Sequence, residues 1–338
     1  MIKKTPFKLA SPELLSQNTT RLFLMLISVF GLACLFNPQI FLSFNNLQSM
    51  SKQLPEYGVM SIAMALAMIA GGIDLSLVAN ANLTAVLAAM ILKAQPTGND
   101  VTDILLACVV ALACGTIFGM AGGSLIAFFS IPPMLATLGM QQLLRGASVV
   151  ITGGRAVSSL PLAYSKFGNT NLFGRIPYLF VLFLVVAAAA AVVLSKTKYG
   201  VRLYMMGTNR TAARYAGIIS SSVIVTTHAI AGLLAAVAGL IFTVRFNSAK
   251  PDNGISYTLQ CILVAVLGGV NPKGGHGSIG GVVLAVFILQ VLSSALNTFE
   301  ALSSFYRDLL WGGALIVILI VTMLLDNRNE RRLIASLK

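Results

Sequence analysis

The sequence predicts an integral membrane protein built from α-helices, with about eight to ten segments crossing a bilayer. Of its 338 residues, 57% are hydrophobic and only 10% are charged. Soluble domains carry roughly a quarter charged residues, and a soluble core of this size would need a polar shell that this composition cannot supply. The apolar runs are long and lack the alternation of barrel strands, so helices must satisfy the backbone inside the membrane.

Long apolar stretches organise the chain as a single transmembrane domain over 1–338. They are residues 22–36, 57–70, 77–92, 104–144, 176–194, 223–244, 259–270, 282–296 and 309–325. The stretch 104–144 is long enough for two helices around a Ser-Ile-Pro-Pro turn at 130–133. Residues 57–70 and 259–270 are too short to cross alone at about 1.5 Å per residue, and each runs into a glycine-rich break. Whether these two segments span or are re-entrant stays open.

The distribution of the cations predicts the orientation of the chain. Most of its 23 lysines and arginines fall inside when the N-terminus is inside, as the positive-inside bias expects. The lead-in 1–20, the basic segment 196–220 and the tail 327–338 are then cytoplasmic. The net charge of +13 is spread over loops at span ends, so it does not indicate a nucleic-acid partner.

The basic segment between two apolar runs carries the signals of a short helix. Thr208 or Asn209 can cap its start by accepting a hydrogen bond from a free N–H group, and Gly217 can end it in the left-handed conformation. Arg210 and Arg214 are four residues apart and share a face. Arginine in a first turn opposes the helix dipole, so an acidic partner surface explains these residues better than helix stability does. A solvated loop is the alternative.

Residues 71–76, Gly-Gly-Ile-Asp-Leu-Ser, place the carboxylate of Asp74 beside membrane-embedded backbone. A charge there is costly and is by default a functional hypothesis, such as a substrate or ion pathway. The alternative is an N-cap for a helix beginning near Leu75, which is favoured because aspartate before an apolar run is an ordinary helix start. Both roles can coexist.

Uncharged side chains near the spans are further candidates for a pathway. Together with Asp74, the candidate pathway residues are Ser76, Asn80, Gln260 and Asn297. Most such amides hydrogen-bond between helices. A sugar pathway would nevertheless use them, because hydroxyls pair with amides without burying a charge.

The sequence predicts no catalytic residue, metal site or cofactor on this chain. The glycine-rich residues 268–281 lack the G-x-x-x-x-G-K-[ST] order of a phosphate loop. His228 and His276 have no cysteine or carboxylate at metal-ligand spacing. No Ser/His/acid or Cys/His set for nucleophilic catalysis is visible.

Five stretches together resemble the ribose/xylose-type membrane permeases of bacterial ABC importers. They are Gly-Gly-Ile-Asp-Leu-Ser at 71–76; Ile-Pro, Ala-Thr-Leu-Gly and Leu-Arg-Gly within 131–146; Thr-Lys-Tyr-Gly at 197–200 with Gly207, Asn209, Ala212, Ala213, Arg214, Gly217 and Ile218; Ala-Gly-Leu and Ala-Gly within 231–239; and Val-Leu-Gly-Gly, Gly-Gly and Gly-Ser within 266–278. Within this resemblance, the glycine that usually follows the aspartate motif is absent here, and Gln260 lies where an acid is usual.

The resemblance implies a dimer of this chain with a second copy or a paralogous permease in the bacterial inner membrane, with both termini cytoplasmic. A periplasmic sugar-binding protein would deliver the solute, and a separate ATPase subunit would hold ATP and Mg²⁺. The short helix would be the coupling helix that docks on the ATPase, formed by Gly207, Thr208, Asn209, Arg210, Ala213, Arg214 and Gly217. The main rival is an ion-coupled secondary transporter, which would need paired embedded acids or bases; Asp74 and His228 are the only candidates.

Overall fold

The computed structural model describes residues 12–36 and 38–297, together with isolated positions after them. This part of the chain is almost entirely helical. Its elements are α1 (Pro12–Phe36), α2 (Pro38–Phe41), α3 (Phe44–Ile69), α4 (Leu77–Ala94), α5 (Asp100–Phe128), α6 (Pro133–Thr152), β1 (Val157–Ser158), α7 (Leu162–Asn169), β2 (Asn171–Leu172), β3 (Ile176–Pro177), α8 (Tyr178–Lys196), α9 (Lys198–Thr208), α10 (Arg210–Tyr215), α11 (Ser220–Phe246), β4 (Ser248–Ala249), α12 (Tyr257–Leu267) and α13 (Ile279–Asn297).

Within the described residues, 6 helices are long and apolar enough to cross a membrane, namely α4, α5, α6, α8, α11 and α13. Shorter apolar helices are Thr19–Leu35 within α1, and α12. The predicted helical membrane fold is therefore confirmed. The predicted lead-in 1–20 is partly helical, because α1 begins at Pro12. The predicted segment 309–325 is described only at isolated positions, and the tail 327–338 lies outside the described residues.

The segment 57–70, for which spanning was left open, belongs to a helix longer than its apolar run. It is the second half of α3, which has 26 residues and is about 39 Å long at 1.5 Å per residue. The helix begins earlier than predicted because the Ser43 hydroxyl accepts the amide hydrogen of Asn46 at 3.3 Å, an N-cap bond. Pro55 lies inside α3, and every residue from Leu54 to Ile69 is buried.

Helix α12 is short as predicted, with 11 residues, and the chain breaks where glycines cluster. We call residues 70–76, between α3 and α4, the first break, and residues 268–278, between α12 and α13, the second break. The amide of Gly275 donates to the carbonyl oxygen of Ile69 at 2.9 Å. This hydrogen bond joins the end of α3, directly before the first break, to the second break, although the two are far apart in sequence.

Glycines allow α5 and α11 to cross closely at the centre of the molecule. A Cβ atom at Gly115 would lie 2.6 Å from the Cβ of Ala236, and one at Gly232 would lie 2.9 Å from the Cα of Gly119. Only glycine fits so close an approach. Small residues at such a crossing are typical of helix pairs in membranes, where tight backbone packing replaces the hydrophobic effect.

The two ends of α11 have different neighbours. Its first residue, Ser220, follows α10 along the chain, and its last residue, Phe246, leads directly into β4. Strand β4 pairs antiparallel with β1, with Val157 opposite Ala249 and Ser158 opposite Ser248. A short hairpin, β2 with β3, precedes α8.

Candidate functional site

The short helix predicted in the basic segment is α10, with six residues. Its N-cap is Asn209, whose side-chain oxygen accepts the amide hydrogen of Ala212 at 3.0 Å. Thr208 does not cap it, because its hydroxyl donates instead to the carbonyl oxygen of Tyr204 at 2.9 Å. Asn209 therefore separates α9 from α10 and fixes where the second helix begins.

The end of α10 also has the predicted geometry. Gly217 has a φ of +79°, which side chains other than glycine rarely adopt. The amide of Ile218 donates to the carbonyl oxygen of Ala213 at 3.0 Å, and that of Gly217 to Arg214 at 3.0 Å. This backbone pattern closes a helix through a left-handed glycine. The capped helix predicted from sequence is confirmed; its role in coupling stays a prediction.

The outer face of α10 is charged and aromatic. Arg210 and Arg214 are exposed, and neither takes part in an ion pair with another described residue. Tyr215 is 90% exposed. Ala213 is buried and anchors the helix to the rest of the molecule. Two unpaired cations beside an exposed tyrosine form a surface suited to an acidic partner, because arginine and tyrosine are both enriched at protein interfaces.

A groove of about 710 Å³ lies beside α10. One wall carries Arg210, Arg214 and Tyr215, and the other is the predicted 130–133 turn between α5 and α6. Lining residues on the second wall include Ile126, Ala127, Ile131, Pro132 and Pro133. The groove therefore combines an apolar wall with a basic one, and we call it the α10 groove.

Gly207 and Thr208 do not line this groove. Thr208 lies against the second break, where a Cβ atom at Gly275 would be 2.7 Å from its backbone nitrogen. Gly207 is packed between the two breaks, with no room for a side chain. Of the predicted coupling residues, Asn209, Arg210, Ala213, Arg214 and Gly217 form or flank α10, whereas Gly207 and Thr208 join α9 to the breaks.

Asp74 is 2% exposed and lies in the first break. Its Oδ1 accepts the amide hydrogen of Ser76 at 2.9 Å and the Ser76 hydroxyl at 2.6 Å. Helix α4 begins at Leu77, two residues later than Leu75. The N-cap residue of α4 is Ser76, and no side chain caps the helix, so the predicted N-cap role of Asp74 is wrong: its carboxylate bonds the N–H and hydroxyl of the cap residue rather than an N–H inside the helix.

The second carboxylate oxygen, Oδ2 of Asp74, faces the ring of His228 in α11. The His228 Nε2 atom lies 4.0 Å from it. The other ring nitrogen, Nδ1, lies 3.0 Å from the carbonyl oxygen of Ile224, an acceptor to which only a protonated nitrogen can donate. The fold therefore brings together two residues that are far apart in the sequence. Among the described residues, no group of three or more His, Cys, Asp or Glu side chains could hold a metal ion.

The remaining candidate pathway residues lie on three helices. Asn80 is buried in α4, and its amide donates to the carbonyl oxygen of Gly115 in α5 at 3.0 Å, while its oxygen has no partner. Gln260 is buried in α12, and Asn297 is exposed at the end of α13. The structure brings Asp74 and Ser76 into contact. The bond from Asn80 is the interhelical kind expected of such amides.

A buried ionic cluster joins three helices and was not predicted from the sequence. Glu56 of α3 is 0% exposed and forms an ion pair with Arg245 of α11. The hydroxyl of Tyr257, the first residue of α12, donates to the second carboxylate oxygen of Glu56 at 2.9 Å. The available signal was a carboxylate directly before one apolar run and a cation directly after another, since embedded charges need partners.

The long apolar helices, with glycine-rich breaks between them and an exposed, capped basic helix, define a multi-pass membrane protein. Residues 46–324 match the family described as "Branched-chain amino acid transport system / permease component", and the chain belongs to this family.

Proteins similar to this chain are named import permeases. The ribose import permease protein RbsC of Haemophilus influenzae is 31% identical over 315 residues, covering 91% of this chain and 92% of that protein. RbsC of Bacillus subtilis is 34% identical over 310 residues, with 91% and 92% covered. The autoinducer 2 import system permease protein LsrC of an Enterobacter species is 29% identical over 321 residues, with 95% and 90% covered. No solved structure matches the chain.

The predicted family and the transport function are therefore confirmed. The chain is the non-catalytic membrane component of a bacterial ABC importer. Such a permease works with an ATPase subunit and a solute-binding protein, so the energy source lies on a partner. The ion-coupled alternative is set aside.

Proposed function

We propose that this permease imports a monosaccharide or a sugar-like molecule. The observation that carries the proposal is its similarity, over nine-tenths of the chain, to permeases named for ribose and for autoinducer 2. The family description names branched-chain amino acids, which makes an amino acid the second candidate. Polar groups such as Asp74, Ser76, Asn80, Gln260 and Asn297 support the sugar, because hydroxyls pair with amides and carboxylates.

The α10 groove is the proposed docking site of the ATPase subunit. Arg210 and Arg214 supply unpaired positive charge, and the 130–133 turn supplies an apolar wall. Complementary charge across an interface speeds association and selects the partner. In this arrangement ATP and Mg²⁺ are held by the partner, and this chain contributes docking and the membrane path.

The proposed orientation places α10 in the cytoplasm, with both termini on that side of the inner membrane. The basic segment 196–220 supports this, since five cations and no acid lie within it and positive loops stay inside. The solute would arrive from the periplasm on a binding protein. A second permease copy or a paralogue would complete the path.

Uptake by the reconstituted importer tests the substrate. The permease, its ATPase and its binding protein would be placed in liposomes with ATP, and labelled ribose, autoinducer 2 and leucine would be offered separately. We expect ATP-dependent uptake of ribose or autoinducer 2 and none of leucine. Uptake of leucine alone would overturn the sugar proposal in favour of the amino acid. A matched liposome lacking the ATPase controls for leakage.

A further inference from the structure

The last turn of α9 is packed directly against the backbone of both breaks. A Cβ atom at Gly207 would clash with the carbonyl oxygen of Ile69, the last residue of α3, and would lie 2.5 Å from the amide nitrogen of Gly275. Real Cβ atoms do not approach other atoms so closely, so only glycine fits at this position. Gly207 therefore touches the end of α3 and the loop after α12 at the same time.

The two breaks touch each other at the same point. A Cβ atom at Gly274 would lie 2.7 Å from the carbonyl oxygen of Gly207 and 2.8 Å from the Cα of Gly71. The amide of Gly275 donates to the carbonyl oxygen of Ile69 at 2.9 Å. Three backbone segments thus meet without side chains between them. Contacts of this kind leave little room for one segment to shift alone, because close-packed interiors transmit displacement.

A side chain makes a second connection one turn earlier. The hydroxyl of Tyr204 in α9 donates to the carbonyl oxygen of Gly277 in the second break at 2.8 Å. Burial raises the pKa of Tyr204, so the hydroxyl stays protonated and keeps donating. Leu203 and Met206 of the same turn are fully buried and hold α9 in place.

The same turn leads directly into α10. Thr208 ends α9, Asn209 caps α10, and Arg210 is already the first residue of the docking helix. Only Thr208 and Asn209 separate Gly207 from α10, so a displacement of α10 acts on Gly207 over a very short stretch of chain. Through Gly207 and Tyr204 that displacement reaches the end of α3 and the loop after α12.

We propose that Gly207 and Tyr204 are positioning residues for transport, which transmit movement of α10 to the two glycine breaks. This inference rests on the proposed docking of the ATPase at α10. It adds that coupling passes through backbone contact at Gly207. The residues hold and move the ends of α3 and α12, and they do not contact the ATPase.

The test is Gly207→Ala, measured in the assembled importer. The added methyl group must push Ile69 and Gly275 away, while the exposed residues of α10 stay unchanged. We expect the ATPase to co-purify at the wild-type level. Uptake, and the acceleration of ATP hydrolysis by solute-loaded binding protein, should fall by about two- to thirtyfold, the range found for substitutions in coupling networks.

Gly280→Ala is the matched control. It makes the same change in the first turn of α13, next to the second break, at a position where a Cβ atom meets nothing within 4 Å. We expect wild-type uptake. Tyr204→Phe is the second test, since it removes one hydrogen bond and very little volume. This variant should lower the maximal rate of uptake and leave the affinity of the binding protein for its solute unchanged.

Three results would overturn the proposal. The first is Gly207→Ala with normal uptake and normal acceleration of hydrolysis. The second is a loss of purified complex with unchanged uptake per complex, which would show a packing role only. The third is wild-type uptake by Tyr204→Phe, which decides the matter if Gly207→Ala yields no complex. Failure of the wild-type permease to bind its ATPase through α10 would instead refute the proposed docking.

Discussion

Arg245 of α11 neutralises Glu56 of α3, a carboxylate with no exposed surface, and Tyr257 of α12 donates to the same carboxylate. Three helices are therefore joined around one buried charge. A buried ion pair contributes little when both partners are present, because desolvation offsets the attraction. Removing only one partner of the pair is costly, since the remaining charge stays buried and unpaired.

The first prediction concerns this cluster. Arg245→Ala should destabilise the protein by about 3–5 kcal/mol, the cost of leaving a buried charge without its partner. Thermal unfolding of the purified protein in detergent measures the change. Arg155→Ala is the control, because Arg155 is exposed and forms no ion pair with another described residue. An equal melting temperature for both variants would contradict the importance of the pair.

The second prediction concerns the charge of α10. Replacing both arginines of the groove (Arg210→Glu with Arg214→Glu) should place like charges against an acidic partner, at a cost of several kcal/mol. Co-purification of the ATPase and uptake in the same cells should both fall. The pair Lys198→Glu with Arg202→Glu makes the same change four residues apart in α9, outside the groove, and should retain both. If both double variants lost ATPase binding and uptake equally, the loss would reflect net charge and not the groove.

The third prediction concerns the exit of α10. Gly217→Val should weaken ATPase binding, because a β-branched residue is strained at a φ of +79° by roughly 1–2 kcal/mol. Gly217→Asn should be tolerated far better, since asparagine is one of the side chains that adopt this region. A Cβ atom at this position meets nothing within 4 Å, so the comparison isolates backbone conformation. If valine and asparagine bind ATPase alike, the left-handed exit is irrelevant to docking.

The fourth prediction concerns orientation. In a background without the four native cysteines, a cysteine at Asn99, before α5, should react with an impermeant thiol reagent added from outside. A cysteine at Lys273, in the second break, should react only after the membrane is opened. Both residues are exposed, so accessibility reports sidedness. The reverse pattern would invert the proposed topology.

The fifth prediction separates the two roles of Asp74. Asp74→Asn keeps an oxygen that accepts the amide hydrogen of Ser76, whereas Asp74→Ala removes it and should cost about 0.5–1.5 kcal/mol, the net contribution of one hydrogen bond. We expect the asparagine variant to be as stable as the wild type and to lose uptake, because the charge facing His228 is gone. Full uptake by this variant would leave Asp74 only with the role of holding Ser76 by hydrogen bonds.

Local signals were enough to predict α10 and the helical class of the protein. Asn209 and Gly217 act on backbone within four residues of themselves, so their effects can be predicted from the neighbouring residues in the sequence. Composition alone indicated membrane helices, because so few charges cannot cover a soluble surface.

Long-range partners could not be predicted in the same way. Glu56 and Arg245 are 189 residues apart, and nothing in either local sequence selects the other. The polar start of α3 resembles a connection, because it lacks a continuous apolar face; the Ser43 cap and the burial that starts at Leu54 make it helical. The meeting of Gly207 with Ile69 and Gly275 depends likewise on how whole helices pack.

Helix α11 is held differently at its two ends. At Phe246 it is held by the β1–β4 pair and by the ion pair of Arg245, whereas at Ser220 it follows the docking helix. Its 27 residues make a rod of about 40 Å. A push of about 1 Å at Ser220 would therefore tilt the rod by only about 1.4° around a fixed pivot. The displacement would be largest at Ser220, would fall to about 0.7 Å at His228, roughly 12 Å farther along the rod, and would vanish at Phe246.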